Sequence, residues 1–263
     1  MDPTFVADLP HLQGLVVSDV TDLQPLIGTA ITSFLQPWGG LADRAPLSLA
    51  PLAEIPELTL PAMRGRRLTD VAALQRHDKL SGLHLGELGS REALTELPRP
   101  PNLDELGIGG MPDLQDLEWL RFLSHPRVIV LTACTALDDV KALTQWEASL
   151  SWVYLDHCPA VDLRPLSTIR NLKSLSLMGS GSLDLTPVAT LPRLRWLRLG
   201  YGPLPDVHPL KDTPSLALLQ VRGVPEIDLE PLAGRERLNV QVDRSATVHG
   251  ADRLGPGSRV VRQ

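Results

Sequence analysis

The sequence predicts an α/β solenoid, a right-handed stack of short parallel strands with 3-10 or α turns on the opposite side. Three observations carry that expectation. The segments Asp162–Leu166, Asp184–Val188, Asp206–Leu210 and Asp228–Leu232 share the form Asp-x-x-Pro-Leu/Val and recur every 22 residues. Between them stands Leu-x-x-Leu-x-Leu, at Leu172–Leu177, Leu194–Leu199 and, with Val at its end, Leu216–Val221. Leu supplies 51 of the 263 residues while Pro (24) outnumbers Gly (20). A long helix rejects that much Pro, and a sandwich needs more aromatic and β-branched residues. A fixed period of this length marks a repeat architecture.

The strand element follows from its alternation. Leu175 and Leu177 fall on one face of a short strand and Ser174, Ser176 and Met178 on the other. A strand of so few residues cannot bury itself, so successive coils must stack in parallel, roughly 4.8 Å apart, around one leucine core. Earlier strands are expected at Leu12–Val17, Ile55–Leu60, Leu80–Leu85, Leu103–Ile108, Val128–Ala133 and Leu150–Leu155. The Pro element lies across the coil, where Pro pre-sets φ for a short helical turn and gives up a donor that would be unpaired anyway. Leu166 and Ile169, three apart, then point inward. The Asp column, with looser copies beginning at Asp22, Ser48, Asp70, Ala93, Asp116 and Asp139, is expected to cap backbone N–H groups. A calcium ladder would need Gly-rich turns and several oxygen ligands per coil, which the repeats do not supply.

These residues resemble the leucine-rich repeat proteins, and among them the 22-residue internalin-like class with its Asp-Leu-x-Pro-Leu signature. Cys158-Pro159 ahead of Val161-Asp162-Leu163 is also similar to repeats at the C-terminus of actinobacterial NACHT-type, NLR-related proteins. The resemblance implies a curved, horseshoe-like scaffold with a concave parallel sheet, which binds a ligand and has no chemistry of its own. The array is expected to span residues 1–242, with an irregular coil near 29–48 that contains Trp38, and residues 243–263 to form a C-terminal cap or tail. In register, Asp2–Val6 matches Asp162–Leu166, so the chain starts mid-coil with Phe5, Val6, Leu9 and Leu12 at an end that needs covering. Either an upstream domain or partner caps it, or residues 1–20 close it in a way the pattern does not show.

The net charge of −6 disfavours non-specific binding to nucleic acid or anionic membranes, which needs a surplus of Lys and Arg. No basic start followed by an apolar run marks a signal peptide, and no stretch approaches a membrane span. Two cysteines are too few for a disulfide framework, which fits a cytoplasmic protein. Arg exceeds Lys about five to one, as in proteins of GC-rich bacterial genomes. No metal or cofactor is expected: Cys/His spacing for zinc is missing, as are a P-loop, Gly-x-Ser-x-Gly and His-Glu-x-x-His, and Pro112 spoils Gly107-Ile-Gly-Gly as a dinucleotide turn. His157-Cys158 reads as a core turn, and Cys134 as a partly exposed thiol on the outward column. The chain is therefore expected to be no enzyme. Two roles are expected instead: a protein-recognition module, free-standing or the sensor end of a NACHT-like switch, or a scaffold subunit that holds an enzyme.

Ligand contact must then fall to the outward columns. The earlier strands offer Gly14, Val16 and Ser18; Glu57, Thr59 and Pro61; Gly82, His84 and Gly86; Glu105, Gly107 and Gly109, a small and acidic set. The later strands offer Val130, Thr132 and Cys134; Trp152, Tyr154 and Asp156; Ser174, Ser176 and Met178; Trp196, Arg198 and Gly200; Leu218, Gln220 and Arg222, an aromatic and basic set. The expected protein-binding patch is centred on Trp152, Tyr154, Trp196 and Arg198, with Asp156, Tyr201 and Arg222 at its rim. Its three rings should lie within roughly 10 Å of one another. Trp, Tyr and Arg are the side chains that dominate protein interfaces.

Overall fold

The computed structural model describes residues 3–17, 20–36, 45–63, 67–181 and 183–263. The chain forms two compact units, Met1–Asp113 with Trp119–Thr132, and Leu114–Glu118 with Ala133–Gln263. The first contains β1 (Gly14–Val16), β2 (Ser33–Gln36), β3 (Leu47–Ser48), β4 (Leu60–Met63), β5 (Leu68–Thr69), β6 (Gly82–Leu85), β7 (Glu105–Gly109) and β8 (Val128–Thr132). The second contains β9 (Trp152–Asp156), β10 (Ser174–Met178), β11 (Trp196–Gly200), β12 (Leu218–Arg222), β13 (Glu226–Asp228), β14 (Asn239–Val242), β15 (Thr247–His249) and β16 (Arg259–Arg262). Among the described residues each unit has six strands side by side in a parallel sheet, ordered β1-β2-β4-β6-β7-β8 and β9-β10-β11-β12-β14-β16. The pairs β3–β5 and β13–β15 stand apart from them.

Register explains the core. Val153, Leu175, Leu197, Leu219 and Val240 pair in sequence along the second sheet, and each is fully buried. Leu106 and Ile129 do the same in the first. Each such side chain contributes roughly 1.5–3 kcal/mol of burial energy. Across the coil, Pro stands in the first turn of the short helical segments Gln24–Leu26, Ala50–Glu54, Arg164–Thr168, Thr186–Ala189, His208–Asp212 and Glu230–Leu232. Leu166 and Ile169 are both inside, as their spacing predicts.

The Asp column caps these turns. Oδ1 of Asp22, Asp116, Asp139, Asp162, Asp184, Asp206 and Asp228 each accepts the backbone N–H two residues on, at 2.7–3.0 Å. Asp70 departs from the pattern. It sits at φ +58° and accepts hydrogen bonds from the Ser48 and Thr69 hydroxyls instead.

Several expectations need correction. Within the stretch near 29–48 the described residues include β2, whose Phe34 is fully buried and pairs with Leu15 and Pro61. Trp38, like Ser18 and Asp2, lies outside the described residues. The next strand is Leu60–Met63 rather than Ile55–Leu60, and Ala62 pairs with His84 and Met63 with Leu85. Pro61 therefore faces the core, and Leu60 and Ala62 take the outward column assigned to Thr59 and Pro61.

Cys134 is fully buried, not partly exposed. Strand alternation ends at Ala133, whose φ of +54° turns the chain inward, and His157 (φ +57°) does the same before buried Cys158. Contact with Cys134, reinforced by burial, pushes the Cys158 thiol far above its ordinary value, so it stays protonated and inert.

At the start of the chain Phe5 and Leu9 are exposed and Leu12 half-buried, whereas Val6 is already buried. Residues 243–263 make one further turn of the same kind. In it β15 pairs with β13 and β16 with β14, and Val260 is only half-buried where Val240 is enclosed.

Candidate functional site

The outward face of the second sheet is a grid of three rows. Register aligns Trp152, Ser174, Trp196, Leu218, Asn239 and Arg259 in the first row. The second holds Tyr154, Ser176, Arg198, Gln220, Gln241 and Val261. In the third, Met178, Gly200 and Arg222 follow one another.

Trp152 and Trp196 stand two strands apart, so their backbones are separated by roughly 9–10 Å. Their ring centroids are nonetheless 5.2 Å apart, tilted by 45°. The two indoles lean toward each other over Ser174, which is 2% exposed. Tyr154 completes the group with its ring 6.5 Å from that of Trp152. Both indoles and the Tyr154 ring are half-buried. Such tilted pairs are worth about 0.5–1.5 kcal/mol beyond the area they cover. The expectation that Ser174, Ser176 and Met178 meet solvent is thereby corrected. They do lie on the outward column, but larger neighbours close over them and all three are buried.

The polar members of the patch are held by their neighbours. Arg198 Nε donates to Gln220 Oε1 at 2.9 Å, and Gln220 Nε2 donates to Gln241 Oε1 at 3.1 Å. Asp156 Oδ1 accepts the Ser176 hydroxyl at 2.5 Å and the Met178 N–H at 3.0 Å. Arg222 Nη1 pairs with Asp243 Oδ1 at 2.9 Å, and its Nη2 donates to Gln263 Oε1. The Gly223 N–H, helped by the Arg222 guanidinium, holds the Asp243 carboxyl below its ordinary value. Tyr201 is the most exposed ring described, at 60%. It sits past the end of β11 at φ +54°, and its ring lies over Gly223, where a Cβ would come within 2.3 Å of Tyr201 Cδ1. The structure thus brings Trp152, Tyr154 and Trp196 into contact and sets Arg198 on the strand of Trp196. Asp156 is fixed to β10, and Arg222 to the last two coils. Sequence reasoning missed Asn239, Gln241, Asp243 and Arg259. The signal was the alternation of Val240 and Val242, which continues the pattern after the leucines stop.

The first sheet has a different surface. His84 lies across Gly107, where a Cβ would come within 2.1 Å of Nδ1, and its Nε2 is 2.6 Å from Glu105 Oε1. His84 is 3% exposed, so this column is closed and not open to solvent as expected. On the first strands Val16 (69%) and Leu35 (36%) are exposed. The surface there is apolar rather than acidic.

No protein-family model and no curated protein matches the chain. Solved structures do. An internalin (inlF) from Listeria monocytogenes is similar over 97% of this chain and 84% of its own, with a TM-score of 0.53 at 21% identity. The fold is that of the leucine-rich repeat. Weaker likenesses are to an internalin C2 from the same organism, at TM-score 0.41 and 16% identity over 88% of this chain and 81% of that one. The leucine-rich repeat domain of APL1 gives 0.44 and 15% over 96% and 68%. Among the described residues no helix is long and apolar enough to cross a membrane, and no group of three His, Cys, Asp or Glu side chains is placed to hold a metal ion.

Proposed function

We propose that this chain is a non-catalytic recognition module that docks a protein ligand on the outward, concave face of its second sheet. The docking surface is centred on Trp152, Tyr154, Trp196 and Arg198, with Asp156, Tyr201 and Arg222 around it. The observation that supports this reading is the pair of half-buried indoles on the solvent side of a sheet whose core is complete without them. Rigid aromatic rings beside a guanidinium already oriented by Gln220 lose little freedom on binding, which is the property of interface hot spots. The test is to recover and identify a partner with the wild-type chain, purify it, and titrate it against Trp152→Ala, Tyr154→Ala, Trp196→Ala and Arg198→Ala. Losses of affinity of about 2 kcal/mol or more with little change in Tm support the site. Large losses of Tm with unchanged affinity refute it.

Within this reading the chain is the sensor end of an NLR-like switch in a bacterial cytoplasm. The alternative is a structural or regulatory subunit for a partner enzyme. It is favoured by the way Asp156, Arg198 and Arg222 are already bound to Ser176, Gln220 and Asp243, as rigid scaffolds require. A P-loop ATPase encoded in frame upstream would support the sensor, and an isolated gene beside a phosphatase or protease the scaffold.

A further inference from the structure

The 22-residue register places Ile169, Leu191, Thr213 and Arg235 in one inward column. The first two are enclosed aliphatic side chains, as the core demands. Thr213 is also fully enclosed, yet its Oγ1 has no hydrogen-bond partner. Arg235 replaces an aliphatic residue outright. Its guanidinium donates to the carbonyls of Lys211 and Leu216, at 3.0 and 3.1 Å, while its buried Nε has no partner. Two orphaned polar atoms at successive positions of a leucine column are costly, because a buried group without a partner loses its hydration and gains no bond in return. Burial pulls the Arg235 pKa down, with Asp212 acting the other way, and a guanidinium keeps its proton under such a pull.

Beside this column a cleft of about 720 Å³ opens between residues 211–217 and 233–237. It is lined by the cations Arg195, Lys211, Arg235 and Arg237 against the carboxylates Asp212 and Glu236. Arg195, Lys211 and Arg237 are exposed, and among the described residues none forms an ion pair. The space exists because small residues stand where large ones would fill it. Ala217 follows Lys173 and Arg195 in the column ahead of the strands, and Gly234, at φ +77°, turns the next coil away. The volume is that of a small-molecule site.

We propose that this cleft binds a small phosphomonoester dianion, with Arg235 as the fixed floor of the site and Arg195, Lys211 and Arg237 closing on the phosphoryl oxygens. Four cations against two carboxylates leave a surplus of two positive charges, which matches a phosphomonoester at neutral pH and exceeds a single carboxylate. Guanidinium forks suit phosphate because they donate two parallel hydrogen bonds to a pair of its oxygens. The site is separate from the aromatic grid on the sheet face and does not depend on it.

The test is calorimetric titration of the whole chain with AMP, inorganic phosphate and adenosine, alongside Tm with and without each. AMP and phosphate are expected to saturate and to raise Tm, and adenosine to do neither. Arg195→Glu and Arg237→Glu are each expected to weaken AMP binding by about tenfold or more. Arg170→Glu, an equal charge change at an exposed residue outside the cleft, should leave it unchanged. Should either reversal lower the ligand-free Tm, Arg195→Gln and Arg237→Gln take its place and are expected to weaken binding in the same direction. The proposal is overturned if neither AMP nor phosphate saturates, if adenosine binds as tightly as AMP, or if Arg170→Glu weakens binding as much as the cleft variants.

Discussion

The two sheets are alike in the residues of their inward faces and differ in those of their outward ones. Behind each stands a column of buried aliphatic residues in parallel register, Leu106 and Ile129 in one, Leu175, Leu197 and Leu219 in the other. In front, the first sheet closes its surface with His84 over Gly107 and leaves Val16 and Leu35 exposed. The second builds a shelf from Trp152, Trp196, Tyr154 and the Arg198–Gln220–Gln241 chain. Folding fixes the inward residues, because a parallel stack leaves no other place to bury them. The outward residues are free of that demand, and so that is where binding function is looked for.

If the inward columns are equivalent, they must be equally costly to breach. Leu197→Ala and Ile129→Ala are each expected to lose about 2–5 kcal/mol, since both side chains are fully enclosed and the rigid coils on either side cannot collapse into the gap. Urea unfolding measures both. A loss below about 1 kcal/mol at either site would show that its unit tolerates cavities and that the comparison is false there.

The closed outward column of the first sheet can be tested directly. Gly107→Ala places a methyl group where the His84 ring now lies, so the ring must leave Glu105. The expected cost is about 1–3 kcal/mol, typical of overpacking, and the displaced imidazole would be visible by NMR. Gly202→Ala, in the bend after β11 and off the sheet face, meets no atom closer than 3.6 Å and serves as a control expected to be far milder. An unchanged His84 resonance in Gly107→Ala would mean that the closed column is not what holds that ring.

The period alone yields the strands, the Pro turns and the Asp caps, because each depends on residues that recur where the geometry recurs. The pattern loses its information where recurrence stops. From Leu15 through Phe34 to Pro61 the core positions are unevenly spaced, and Ile55 and Leu58, which belong to the turn before β4, imitate strand leucines. Cys134 escapes the alternation because it lies two residues past the strand, beyond the positive φ of Ala133. In the site, the column of each side chain was legible, and so was the meeting of the rings. The burial of Ser174 was not, because exposure depends on how far neighbours lean, and a register carries no information about tilt. The partners of Arg222 were missed because Asp243 and Gln263 lie beyond the last leucine of the pattern.

The aromatic shelf can be tested apart from any ligand. Two indoles 5.2 Å apart and tilted should give a coupled near-ultraviolet circular dichroism band that disappears in either Trp152→Ala or Trp196→Ala. Each substitution is expected to cost about 0.5–1.5 kcal/mol for the ring pair, plus the exposure of Ser174. A surviving band in either variant would mean that the rings are not paired in solution, and the shelf would then be no more ordered than the surface of the first sheet.

The smallest expected effect concerns the rim, where Asp243 ties Arg222 and Gly223 to the final coils. The Gly223 N–H, then Arg222, lowers its pKa below the ordinary 3.8. A carboxyl with a lowered pKa in the folded state adds stability that is fully present above its unfolded value and is lost as pH falls through the folded one. The contribution is therefore intact at neutral pH and disappears in acid. Asp243→Asn cannot ionise, so its Tm should lie below that of the wild type by a gap that is constant at neutral pH and narrows as pH falls below the ordinary carboxylate range. Acid sensitivity that the wild type and the variant share cancels in the difference. A gap of the same size at every pH would show that Asp243 acts through shape or a neutral hydrogen bond, and the ion pair with Arg222 would then contribute nothing to holding the edge of the sheet.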